Sequence, residues 1–229
     1  MHKYKGKLIT LEGPDTAGKT TLINKLRTVL PIIYPNETFL FTREPGNLLQ
    51  CEFNQSETIR TKLLSDDSLT AEQQAELFAQ ARYYHVLDII KELEKGNNVI
   101  TDRFLFSSVI YQGLELGFKA ILKYNKDSLD LLKQNDIEIN NIVLQITEDT
   151  YKKRMSTRAV KDAIEDVEEK TIIERINYHN IVRTLNEDLD NQLGNVYTID
   201  ANDTASTVVI EALNHINKII RLLKIRRTF

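Results

Sequence analysis

The chain has 229 residues, 41% of them hydrophobic and 28% charged, a composition that excludes extended disorder and is long enough for one large domain with its own core. A single cysteine, Cys51, excludes an internal disulfide or a cysteine-rich zinc site, and no apolar run approaches the ~20 residues needed to span a bilayer. The formal charge of −3 argues against a protein devoted to gripping nucleic acid, and the basic start Met1 to Lys7 has no long apolar stretch behind it, so a cytoplasmic protein is expected.

In chain order, Leu8 to Leu11 is a short β-prone run ending at Glu12-Gly13. After a glycine-bounded loop, Leu22, Ile23, Leu26, Val29 and Leu30 recur at helical spacing from Lys19, and Pro31 is expected to stop that helix. Thr38 to Phe41 reads as a second strand, broken by Pro45-Gly46, and a short helix is expected around Ile59, Leu63 and Leu64. Thr70 and Gln73 form a capping-box pair for a helix running through Leu77, Phe78, Ala81, Tyr84, Leu87, Ile90 and Leu93 to Gly96. Asn98 to Thr101 is a third strand ending at Asp102, and a helical region follows Ser107. Ile142 to Ile146 is a fourth strand. Tyr151 to Leu189 is helical and charged with a break near Ser156 to Val167, Val196 to Ile199 is a fifth strand, and Ala205 to Leu223 is the last helix. The basic tail Lys224 to Arg227 reads as a solvated helix end. Strands alternating with helices, without repeat or linker, imply one α/β domain over residues 1–229: a parallel sheet with helices on both faces.

Gly13-Pro14-Asp15-Thr16-Ala17-Gly18-Lys19-Thr20 satisfies G-x-x-x-x-G-K-[ST] between a strand and a helix. The glycines let successive backbone N–H groups turn inward at a helix N-terminus, where anions bind. Lys19 supplies mobile positive charge to the β- and γ-phosphates, and the Thr20 hydroxyl is a ligand for Mg²⁺. Neither Asn-Lys-x-Asp nor Thr-Lys-x-Asp occurs, so guanine selectivity of the switch-GTPase kind lacks support. A nucleoside triphosphate is the expected ligand.

Three further clusters narrow the class: Phe41-Thr42-Arg43-Glu44-Pro45-Gly46, Phe78-Ala79-Gln80-Ala81-Arg82, and Asp102 to Gly113. With Gly13 to Thr21 they resemble the thymidylate kinase family in order and spacing, over roughly Lys7 to Asp200. The resemblance implies a P-loop nucleoside monophosphate kinase fold with a five-stranded parallel sheet, and transfer of the γ-phosphoryl of ATP to dTMP with Mg²⁺. It also implies a homodimer, as its relatives commonly are.

By the same resemblance, Gly13 to Thr21 hold ATP, Asp102 holds the magnesium shell with Thr20, and Arg103 clamps the monophosphate. Phe78 stacks on thymine, Arg82 bonds its O4, and Ser108 stands where relatives can carry a base-binding Asn. Asp15 approaches the sugar 3′-OH, Tyr111 lies under C2′ with Gln112 beside it, and Arg43 lies near the monophosphate. Glu44 is a structural or magnesium-shell acid and Pro45 a cis or tight-turn residue. Thr16 stands where one branch of the family carries a catalytic arginine, so that arginine is expected from a lid at approximately 152–169, with Arg154 on adenine and Arg158 on the phosphates. The stretch after Gly46, Asn47 to Phe53, departs from the family's small residues. It keeps open a broader deoxypyrimidine monophosphate kinase; a non-catalytic nucleotide-binding regulator is the rival from another class.

Overall fold

The structure, a computed structural model, describes residues 6–46, 48, 55–66, 68–156 and 169–225. Arg158, Cys51, most of the stretch after Gly46, residues 157–168 of the expected lid, and Arg226-Arg227 lie outside the described residues.

Five strands, β1 (Leu8–Glu12), β2 (Phe39–Arg43), β3 (Asn98–Asp102), β4 (Ile139–Gln145) and β5 (Asn195–Asp200), form one parallel sheet. Their order is β2-β3-β1-β4-β5, so β1 lies in the middle and is buried along its whole length. Side chains alternate between two cores. Leu8, Val99, Ile139 and Val143 face one, closed by α3 (Ala71–Glu94), α4 (Leu105–Tyr111), α6 (Phe118–Tyr124), α7 (Lys126–Gln134) and α10 (Val182–Asp188). Ile9, Leu11, Ile100, Ile142 and Leu144 face the other, closed by α1 (Lys19–Ile33), α11 (Ala205–Ile225), and residues of α8 (Glu148–Ser156) and α9 (Glu169–Asn180). The remaining helices are α2 (Gln55–Ser65) and α5 (Gly113–Leu116). This is the five-stranded, doubly covered α/β fold expected.

Two residues break the hydrophobic rule inside the sheet. Asn140 and Asn141 on β4 are 2% and 1% exposed. Asn141 accepts from the Thr10 hydroxyl (2.8 Å) and donates to the carbonyls of Leu193 and Asn195, while Asn140 donates to the Leu8 carbonyl and accepts from the Asn195 amide. Each buried amide is therefore satisfied, and together they tie β4 to both neighbouring strands.

Three elements differ from the periodicity reading. Pro31 does not stop α1, which continues to Ile33. The proline ring stands in the last turn on an exposed face, so the one lost hydrogen bond leaves the Arg27 carbonyl on the solvent side. Tyr84 is 38% exposed, because the buried stripe of α3 runs instead through Ala75, Ala79, Arg82, His85, Val86, Ile89 and Leu93. Periodicity in apolar residues cannot see a stripe that includes an arginine and a histidine. The helix expected after Ser107 starts at Leu105.

At the head of α3 the Thr70 hydroxyl accepts from the Gln73 N–H (3.2 Å), and the Gln73 side chain accepts from the Thr70 N–H (2.9 Å). Thr70→Ala should destabilise the protein by about 1 kcal/mol through loss of this cap. Urea unfolding monitored by circular dichroism measures it, with an unchanged m-value expected.

Candidate active site

The parallel register sets the site. β1 and β3 end side by side, with Leu11 opposite Asp102, so the loop after β1 and the turn after β3 leave the sheet together. Gly13 adopts φ +147° at the start of that loop, and a Cβ there would come within 2.8 Å of the Leu144 carbonyl. Gly18, at φ +97°, precedes the first turn of α1. Thr16 and Arg103 are non-glycine residues at φ +63° and +65°. Such strain is retained where the surrounding structure fixes it, often at functional sites.

Lys19 is 7% exposed, and its ammonium donates to the carbonyls of Gly13 (2.9 Å) and Pro14 (3.0 Å). Burial, reinforced by Arg103, brings its pKa down to about 8. Pro14 and Ala17 are buried under the loop, while Thr20 and Thr21 are exposed on the first turn of α1. The Arg154 guanidinium on α8 donates to the Thr16 carbonyl (3.1 Å) and the Ala201 carbonyl (2.6 Å), tying α8 to the loop and to the end of β5.

Arg103 gathers the second half of the site. One terminal nitrogen donates to the Gly13 carbonyl (3.2 Å) and the Ser107 hydroxyl (3.1 Å), and the other meets Asp15 Oδ1. Tyr111 donates from its hydroxyl to Asp15 Oδ2 (3.0 Å), and its ring centroid lies 4.9 Å from the Arg103 guanidinium. Burial carries the Tyr111 phenol up to about 12, so it remains a donor at neutral pH. Burial alone would raise the Asp15 pKa, but Arg103 and Lys19 outweigh it and hold the carboxyl below its ordinary value. The Asp15 side chain is 51% exposed, so solvent screens its pairing with Arg103.

Beneath these residues lies Glu12, with no exposure. Its oxygens accept from the Phe104 N–H (2.7 Å) and the Ser107 hydroxyl (2.5 Å), welding the end of β1 to the head of α4. That backbone bond is why α4 starts ahead of Ser107. Sequence reasoning passed over Glu12, although a carboxylate at the end of a short β-prone run, directly before the phosphate loop, was the available signal. Burial raises its pKa to about 7, against the lowering effect of Ser107 and Arg103.

Arg82 is 2% exposed, not the surface charge an isolated helical arginine suggests. It donates to Glu44 (2.7 Å), Asn125 (2.5 Å), the Phe104 carbonyl (3.3 Å) and the Ser108 hydroxyl (2.8 Å), which engages four of its five N–H groups. Glu44 shares its other oxygen with His85 (3.2 Å), whose far nitrogen meets the Thr42 hydroxyl (3.0 Å). Glu44 is thus a structural acid, and the peptide from it to Pro45 is cis. Phe78, one turn before Arg82, is half-buried. Arg43 projects outward with Glu57 3.9 Å away.

The donor set suits a magnesium ion held mainly by phosphates and water. Asp102 Oδ1 is buried with no hydrogen-bond partner among the described residues, and Thr20 is exposed in the first turn of α1. Gln112 Oε1 and Thr16 Oγ1 are likewise buried without partners. A further residue that the sequence did not single out is Arg175 on α9, whose guanidinium lies 4.4 Å from the Tyr111 ring centroid.

The raised Glu12 pKa has a signed consequence. The folded protein keeps this proton up to about pH 7 whereas the unfolded chain releases it near 4.5, so folded protein binds more protons in that window and loses stability as pH rises through it. Glu12→Gln should remove on the order of 2 kcal/mol of that decline between about pH 5 and pH 8. Urea unfolding of both proteins at the two pH values measures the difference, and parallel declines would show that Glu12 is ionised throughout.

Comparison with known proteins agrees with this geometry. A family model described as Thymidylate kinase matches residues 11–212. The chain is 32% identical over 218 residues to the thymidylate kinase of Mycoplasma mobile, covering 93% of this chain and 99% of that protein. It is 31% identical over 223 residues to that of Oenococcus oeni, covering 95% and 98%. The thymidylate kinase of Mycoplasma genitalium is 38% identical over 134 residues, 57% of this chain and 61% of that protein. With the phosphate loop, the Asp102-Arg103 turn and the sheet order in place, the chain belongs to the thymidylate kinase family.

Proposed function

We propose that this chain, acting as one domain, transfers the γ-phosphoryl group of ATP to dTMP, giving dTDP and ADP. The observation that carries the reading is the junction of two sites. A buried lysine at a helix N-terminus adjoins an Asp15–Arg103–Tyr111 cluster, so a phosphate acceptor can sit beside the phosphate donor. Cytoplasmic location and a homodimer accompany the reading as expectations from the family, with only nucleotides as ligands. No described helix is long and apolar enough to cross a membrane.

In this scheme an oxygen of the dTMP phosphate attacks the γ-phosphorus as the bond to the β-bridging oxygen breaks, and that oxygen leaves with ADP. Lys19 and the N–H groups of Gly13 to Thr21 steady the donor phosphates, and Arg103 steadies the acceptor phosphate. Thr20 and Asp102 would hold Mg²⁺, which when bound neutralises charge on the donor phosphates. Asp15 and Tyr111 face the sugar, with Gln112 adjoining, while Phe78, Arg82 and Ser108 face the base and Arg43 the rim of the acceptor site. Arg154 borders the adenine side, and Arg158 is assigned the transferring phosphoryl group.

A second, broader reading of the acceptor follows from the base itself. Thymine and uracil carry the same O4, so Arg82 cannot tell them apart; methyl recognition rests on packing at Phe78, and a missing methyl is worth only about 10–200-fold. dUMP is therefore a slower substrate in this scheme.

ADP release measured across the common monophosphates tests both readings. dTMP should give the highest kcat/KM, and a failure of every monophosphate to elicit ADP release would leave a non-catalytic nucleotide-binding module. Lys19→Met should remove turnover while leaving the circular dichroism spectrum unchanged, since it withdraws phosphate-directed charge with little change in buried volume. Near-normal activity in that variant would overturn the phosphate-loop assignment.

A further inference from the structure

Arg175 has no role in the scheme above, yet its surroundings are those of a site residue. Its guanidinium is stacked over Tyr111, the ring that also receives Arg103 and donates to Asp15. Its Nε is buried with no hydrogen-bond partner among the described residues. Its charge is felt at Asp15, Tyr111 and His179, placing it in the same electrostatic field as Lys19 and Arg103.

The position is well fixed. One residue on, Ile176 is 1% exposed in the second core, and one turn on, His179 is fully buried with its ring 5.5 Å from Phe106. These anchors hold α9 against α4, so Arg175 is not a side chain drifting at a helix surface. Burial, with the nearby Arg103, Lys19 and Arg175, keeps His179 neutral, so the histidine adds no competing charge.

A guanidinium over an aromatic face is attracted by the ring, but a buried charged donor without an acceptor costs more than a neutral one. Asp15, the acid that feels its charge, is already engaged by Arg103 and Tyr111. The Arg175 Nε donor is left without an acceptor beside a site that, in the kinase reading, takes two polyanions.

We infer that Arg175 is a substrate-binding residue, a third cation of the phosphate site with Lys19 and Arg103, whose donors meet phosphoryl oxygens where the two nucleotides join. The inference rests on the kinase reading for the identity of the nucleotides and on the geometry alone for the anion. Stacking on Tyr111 sets the guanidinium plane before ligand arrives, so little side-chain freedom is lost on binding.

The test uses the full chain with Arg175→Gln, which removes the charge at similar length, and Arg175→Lys, which keeps charge but not the planar fork. Calorimetric titration with dTMP and with inorganic tripolyphosphate should show a loss of about 10- to 100-fold for at least one ligand in Arg175→Gln, partly restored in Arg175→Lys. A loss confined to dTMP places Arg175 on the acceptor phosphate, and one confined to tripolyphosphate places it on the donor. Unchanged affinity for both overturns the inference, and a lowered Tm with intact affinities makes Arg175 a structural residue. Should Arg175→Gln not fold, Arg175→Lys decides, with weakened binding expected and unaltered binding refuting. If the wild-type chain binds tripolyphosphate but ignores dTMP, the acceptor assignment falls while tripolyphosphate still judges Arg175.

Discussion

The buried Glu12 carboxyl is the joint on which the site is built. It ends the central strand with no exposure and takes its hydrogen bonds from the head of α4. The phosphate loop begins one residue later, and Arg103, which reaches Ser107, Gly13 and Asp15, begins one residue before Phe104. The phosphate loop and the Asp102-Arg103 turn are therefore joined at the Glu12 carboxyl, and Arg103 adds a second tie to Gly13. Burying an acid here is costly, and the raised pKa records that cost. The fold accepts it because nothing apolar could satisfy the Phe104 N–H and the Ser107 hydroxyl together.

Around that joint the site is layered. Asp15, Arg103 and Tyr111 form an outer, partly exposed layer, and Glu44, Arg82, His85 and Asn125 form a buried polar network behind it. Arg82 bonds the Phe104 carbonyl while Glu12 bonds the Phe104 N–H, so one peptide segment is gripped from both sides. Such a network rigidifies only if its members are satisfied, and here Arg82 and Glu44 are.

Much of this was legible before any coordinates. The strands announced themselves through apolar runs, the phosphate loop through its glycine spacing, and α3 through the Thr70–Gln73 pair, because each depends on local chemistry. What remained hidden depends on partners far apart in the chain. Arg82 and His85 look like surface residues until Glu44, some forty positions away, supplies a hydrogen-bond partner for both inside. Arg175 sits in a charged stretch where every cation resembles a solvated one, and only the arrival of Tyr111 from α4 distinguishes it. Pro31 misled because a helix's last turn tolerates what its middle does not.

The amides of Asn140 and Asn141 lie deep in the sheet, several residues below the end of β1 that carries the phosphate loop. Leucine pairs would serve the core as well, yet would fit after a slide of two residues, whereas an amide finds its carbonyls in only one alignment. The strand tips that bear Gly13 on one side and Asp102 on the other owe their common height to how β1 is seated among its neighbours. Two asparagines deep in the sheet thus act as a depth gauge for the strand end that bears the phosphate loop, and their worth lies in alignment more than in cohesion.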